Sequence, residues 1–181
     1  MILLLSNNAF ATAQFGDRLI YKGETVSIFS NPLESFFNEK NPRPNRLFRA
    51  SCSACWRGYV ATWKIEDETL YLIKLVQGTC GSDAKEIQIS RVFPERNAPV
   101  KATWFTGTLR VPRGKRLSYV HMGYGSIFEK DLYLTFEKGK LTGEHLVDNT
   151  KKELPTRHER ALEELQKLKE WEENRVKQKD K

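Results

Sequence analysis

The sequence predicts a mainly β fold: an antiparallel twisted sheet or barrel-like domain, followed by one C-terminal α-helix. Three observations carry this. Between Asp17 and Asn149 the chain alternates apolar and polar residues and is rich in β-branched and aromatic types. Short turns of Gly, Pro, Asn, Asp and Glu separate these runs, and no helical run intervenes to carry a parallel crossover. Beyond Pro155 the pattern changes to leucines spaced among Glu, Lys and Arg, with no Gly or Pro.

The elements follow in order. Arg18–Lys22 and Thr25–Phe29 flank Gly23-Glu24 and read as a hairpin. Pro32 stops it, because proline has no N–H and biases the preceding Asn31 away from helix. Leu33–Glu39 has room for one helical turn, and Asn41-Pro42-Arg43-Pro44-Asn45 is a loop by composition. Gly58–Ile65 is the clearest strand, with Tyr59, Ala61, Trp63 and Ile65 on one face. Glu66-Asp67-Glu68 turns it into Thr69–Val76. Lys85–Val92 reads as a further strand. Val100–Phe105 leads into Thr106–Val111, and Pro112-Arg113-Gly114-Lys115 reads as a turn before Leu117–Met122. Asp131–Phe136 and Lys140–Val147 form the last hairpin around Glu137-Lys138-Gly139. In the tail, Thr156-Arg157-His158-Glu159 has the form of a capping box, whose two side chains satisfy the free N–H groups of a helix start. The helix it opens runs to about Lys177.

A chain of 181 residues holds one domain with trimmings. The boundaries read as a truncated signal segment over 1–13, an antiparallel β domain over 14–149 and a charged helix over 150–181. No apolar run reaches the ~18–20 residues that span a bilayer as a helix. Net charge is +7, divided as +5 before Lys151 and +2 from there on. The basic residues are interleaved with acidic ones rather than gathered in a run, which argues against nucleic acid as the partner.

Met1-Ile2-Leu3-Leu4-Leu5 resembles the end of a signal h-region, and Ala11-Thr12-Ala13 has the A-x-A form of a cleavage site. A basic n-region is missing, as if the start lay inside a longer signal. On this reading the mature chain begins near Gln14 and is periplasmic or secreted; the alternative is a cytoplasmic chain with an apolar start.

Cys52-Ser53-Ala54-Cys55 has C-x-x-C spacing, and Cys80 stands apart. Export makes one structural disulfide the natural reading, from Cys80 to either Cys52 or Cys55, with one thiol left over. Inert buried thiols and a redox or metal site are the alternatives. The nearest histidines, His121, His145 and His158, sit at no zinc-finger spacing, so no metal or cofactor is predicted.

The stretch from Tyr119 to Asp131 concentrates chemistry. His121, Tyr124, Ser126, Glu129 and Asp131 offer acid, base and hydrogen-bonding groups, and Gly123 and Gly125 give the backbone freedom. Ligand-binding candidates are therefore His121, Tyr124, Ser126 and Glu129, joined by Trp56 and Arg57 beside the cysteines. A small hydrolase-like enzyme using the His121–Asp131 loop is the competing reading, although no G-x-S-x-G elbow is present. The aromatic set that includes Trp56, Tyr59, Trp63 and Tyr119 could stack bases, but aromatics at alternate strand positions are more often core. The leucine seam of the tail suits weak self-association.

Ile28-Phe29-Ser30-Asn31-Pro32-Leu33, Cys55-Trp56-Arg57-Gly58-Tyr59-Val60-Ala61-Thr62-Trp63 and Tyr119-Val120-His121-Met122-Gly123-Tyr124-Gly125-Ser126 resemble a group of small uncharacterised bacterial β-rich proteins. The likeness spans Asp17 to Asn149 and implies a bacterial source and a self-contained domain. It transfers no activity. The function expected from the sequence is therefore an exported, non-catalytic binding or interaction protein, its ligand a protein or a small molecule.

Overall fold

The computed structural model describes residues 12–153, apart from 82 and 95, together with 156, 159 and 166. Nine strands form one sheet. They are β1 (Asp17–Tyr21), β2 (Glu24–Ile28), β3 (Tyr59–Glu66), β4 (Thr69–Gln77), β5 (Glu86–Ile87), β6 (Val100–Lys101), β7 (Gly107–Ser118), β8 (Ile127–Glu137) and β9 (Lys140–Asp148). The spatial order is β2-β1-β3-β4-β9-β8-β7, with the short β5 and β6 pairing with β4.

The sheet is mixed rather than antiparallel throughout. β1 and β3 run parallel, with Arg18 opposite Thr62 and Leu19 opposite Trp63. The crossover expected of a parallel pair is supplied without an α-helix. The chain from Phe29 to Gly58 wanders through the 3-10 turns Glu34–Phe36 and Ser53–Cys55 before returning beside β1.

The sheet also stops short of a closed barrel. Its terminal strands β2 and β7 form no ladder, yet they meet just past the end of β2. There the Phe29 N–H donates to Arg110 O at 2.7 Å. Ser30 Oγ donates to Thr108 O at 3.2 Å and accepts from the Arg110 N–H at 3.1 Å. Arg113 reaches Glu24 across the same gap at 2.6 Å.

Three further expectations change. Lys85–Val92 yields only the two-residue β5 and a 3-10 turn over Ile89–Arg91. Val100–Phe105 contributes two residues to β6. Pro112-Arg113-Gly114-Lys115 does not end its strand: β7 runs through it, and the register against β8 shifts between Arg113 and Arg116. A proline is tolerated there because β7 is the last strand of the path, and the irregularity absorbs Gly114 at φ +76°. The reciprocal capping box does form: the Thr156 N–H donates to Glu159 Oε2 at 2.7 Å, and the Glu159 N–H to Thr156 Oγ1 at 3.2 Å. The rest of the expected helix, and the signal-like residues 1–11, lie outside the described residues.

The core is built from the inward faces. Tyr59, Ala61 and Trp63 are fully buried on β3, as their alternation requires, and so are Leu70, Leu72 and Leu75 on β4. The jump from 72 to 75 breaks the two-residue period. The register slips between Thr62 and Trp63, leaving Ile73 as the extra residue of a bulge, which brings Leu75 back into phase. Phe36, Phe93 and Trp104 pack ring to ring beside this core, with centroids 4.6–5.1 Å apart.

Three two-residue hairpin loops have positive φ at both central residues, the type I′ form that matches strand twist. They are Lys22-Gly23, Asp67-Glu68 and Lys138-Gly139. Only Asp67-Glu68 lacks a glycine, with φ of 47° and 56°. Replacing it with Asn-Gly is expected to raise stability by about 1 kcal/mol. Urea denaturation reads this as a higher midpoint at unchanged slope.

Candidate functional site

The site is assembled around a buried ion pair. Asp17 opens β1, and its carboxylate is fully enclosed. Oδ1 accepts from Arg57 Nη2 at 2.8 Å and from the Ala61 N–H at 3.0 Å, while Oδ2 accepts from Trp63 Nε1 at 3.0 Å. Burial raises the Asp17 carboxyl above its ordinary value, opposed by the Arg57 charge and by these donors. Arg57 is equally enclosed, and its Nη1 donates to Phe15 O at 2.7 Å and to the Tyr124 hydroxyl at 3.1 Å. That hydroxyl lies 2.8 Å from Asn31 Oδ1 and 3.0 Å from Phe15 O, so one proton serves two acceptors. Burial pushes the Tyr124 phenol up to about 12, which keeps it a donor across the physiological range.

A second arginine fixes the same loop from below. Arg110 clamps Asp131 with both ends of its fork, at 2.8 and 3.0 Å. Its remaining donors reach Tyr124 O at 2.8 Å and Ser126 O at 2.9 Å. Asn149 Nδ2 adds a bond to Asp131 at 2.9 Å. Phe29 stacks on the Tyr124 ring with centroids 5.0 Å apart. Residues 119–126 are thus held by two guanidinium groups that the sequence places 53 residues apart.

The N-terminal segment threads between this loop and the cysteine turn. Ala13 bridges Gly123 in parallel, and the Gln14 N–H donates to Gly123 O at 3.0 Å. On the other side the Phe15 N–H donates to Ala54 O at 2.7 Å, and Gln14 Oε1 accepts from the Trp56 N–H at 3.1 Å. Around this segment large apolar side chains face solvent: Trp56 is 60% exposed, Phe15 45%, Tyr119 44% and Met122 38%.

The six sequence candidates divide accordingly. Trp56 and His121 are on the surface, His121 edge-on to Tyr119 at 5.2 Å. Arg57, Tyr124 and Ser126 are committed to internal bonds. The Ser126 hydroxyl accepts from the Val120 N–H at 3.2 Å. Glu129 Oε2 accepts from the Lys115 N–H at 3.0 Å. Of the cysteines, Cys52 and Cys80 are joined and Cys55 is a buried thiol. Among the described residues no cluster of His, Cys, Asp or Glu is placed to hold a metal.

Sequence reasoning did not single out Asp17, Phe15, Asn31 or Arg110. Their roles depend on partners at least 14 residues away, and no local pattern encodes that.

No family model, curated protein or solved structure matches the chain.

Proposed function

We propose that the chain is an exported, non-catalytic binding domain that presents Trp56, Phe15, Tyr119 and Met122, with His121, to a protein partner. The observation that carries this reading is a contrast within one small region. Most of its polar groups are spent on internal bonds, while its large apolar side chains are left in solvent. Exposed aromatics on a rigid, buried support are what protein interfaces use as anchors. The Cys52–Cys80 bond supports an oxidising compartment. Catalysis by the His121–Asp131 loop draws less support, because Ser126 is turned to Val120 and Asp131 is clamped by Arg110.

Trp56→Ala and His121→Ala should leave the folding stability within about 0.5 kcal/mol of wild type, since each removes an exposed side chain. Affinity capture from the native cells, with envelope and cytosolic fractions kept apart, is expected to retain a protein on wild type and lose it on Trp56→Ala. A partner held equally by both variants would put the binding surface elsewhere.

A further inference from the structure

Three cysteines meet at the seam between the turn before β3 and the end of β4. The Cys52–Cys80 disulfide crosses this seam with Cα atoms 5.3 Å apart. Cys55 lies three residues beyond Cys52 in a 3-10 turn, and its N–H donates to Cys52 O at 2.9 Å. Cys52 and Cys55 belong to one small buried cluster, in which the Cys55 thiol donates to Tyr59 O at 3.1 Å. The same thiol packs against Gly78, where any Cβ would collide with the sulfur, and Gly78 precedes Cys80 by two residues. The free sulfur is therefore wedged between the two segments that the disulfide joins. Cys52 and Cys55 are buried, whereas Cys80 is exposed.

We propose that these residues form a thiol–disulfide exchange site in which Cys55 resolves the Cys52–Cys80 bond. The Cys55 thiolate attacks Cys52 Sγ, a Cys52–Cys55 bond forms, and the Cys52–Cys80 bond breaks with its electron pair leaving on Cys80. Cys80 takes up a proton from water, equal to the one Cys55 gave up. One thiol and one disulfide stand on each side, so no oxidant or reductant is consumed. A solvated sulfur is the better leaving group, which favours departure of Cys80. Burial raises the Cys55 thiol above its ordinary value, so the exchange idles near neutrality and quickens as pH rises. Its product is a thiol on the surface, open to mixed disulfides with glutathione or with a cysteine of another protein. The seam itself survives, because the Gly78 N–H donates to Gly58 O at 3.0 Å and Ser51 Oγ to Gly78 O at 3.1 Å. None of this depends on what the aromatic surface binds.

The test uses the full folded chain without reductant, at pH 7 and pH 9, quenched in acid, alkylated and mapped by mass spectrometry. Expected are a Cys52–Cys55 cross-linked peptide and label on Cys80, both forming about tenfold faster per pH unit below the Cys55 pKa. Cys55→Ser should show neither. Cys80→Ser, exposed to oxidised glutathione with folding followed by circular dichroism, should close Cys52 to Cys55. An intact Cys52–Cys80 bond in wild type at both pH values would overturn the proposal. Two lasting free thiols in folded Cys80→Ser would do the same.

Discussion

Arg57→Met should lose about 3–5 kcal/mol of folding stability, the range for removing one partner of a buried ion pair. The substitution keeps most of the side-chain volume and deletes the charge, so the loss reports electrostatics more than packing. What remains is an Asp17 carboxylate with no solvent access and only Ala61 and Trp63 to donate to it. Two more bonds go with the guanidinium, those to Phe15 O and the Tyr124 hydroxyl. Asp17→Leu should cost a similar amount, since it strands the cation instead. The double variant Asp17→Leu with Arg57→Met should recover part of the sum, because two apolar side chains ask for no partner. A urea-denaturation cycle over the four proteins measures the coupling. Strict additivity would mean that the pair acts through separate neighbours.

This ion pair also sets a sign for pH. Burial already raises Asp17 with Arg57 in place, and losing Arg57 removes the largest opposing influence. A carboxyl whose folded pKa lies above its unfolded value contributes stability below the unfolded value, and that contribution is lost as pH rises through the folded value. The gap between wild type and Arg57→Met should therefore be widest at neutral pH and narrow in acid, as the stranded Asp17 takes up a proton. Denaturation midpoints at pH 4 and pH 7 show this directly, and an equal gap at both would remove Asp17 from the explanation.

The parts of the fold that were legible are those written into neighbouring residues. The buried face of β3 follows from two-residue alternation, and turns at Gly23 and Gly139 from glycine between apolar runs, although the first loop is Lys22-Gly23 rather than the expected Gly23-Glu24. The capping box at Thr156 is likewise local. Pairings across the chain were not legible. The parallel contact of β1 with β3 joins residues 44 apart, and nothing in Asp17-Arg18-Leu19 distinguishes a core acid from a turn residue. Arg57 carries the same ambiguity. A charge next to Trp56 reads as surface until Asp17 arrives to compensate it. Pro112 and Gly114 have the composition of a turn, and whether they make one depends on what β8 offers opposite them. For the candidate site, the sequence points to the loop and the cysteine turn. The N-terminal segment that connects them goes unnoticed, because its contribution is made mostly by backbone bonds.

Gly58→Ala should be the most damaging single methyl in the domain, with a loss above about 4 kcal/mol or no folded protein at all. Two costs combine at this position. Its φ of +75° is left-handed backbone, which costs a residue bearing Cβ roughly 1–2 kcal/mol. The added carbon would also sit 2.5 Å from both the carbonyl carbon and the oxygen of Phe48, and 2.9 Å from the carbonyl carbon of Arg49. Those atoms are backbone, and Phe48 is itself buried against Tyr59 with ring centroids 4.7 Å apart, so they cannot step aside cheaply. Gly23→Ala isolates the first cost. Gly23 has nearly the same backbone angle, φ +81°, but nothing lies within 4 Å of its would-be Cβ. It should therefore show the conformational penalty alone. The difference between the two variants then measures the close approach of the Phe48 backbone. That approach matters to the surface as well, because Gly58 follows Trp56 and Arg57 directly. If Gly58→Ala folds, displacement of the Phe48 backbone should disturb the Arg57–Asp17 pair and turn the exposed indole. Trp fluorescence and partner capture should then change together in Gly58→Ala and in neither case for Gly23→Ala. Equal penalties at the two glycines would mean that the chain from Phe48 to Gly58 yields freely, and that the ion pair alone holds Trp56 in place.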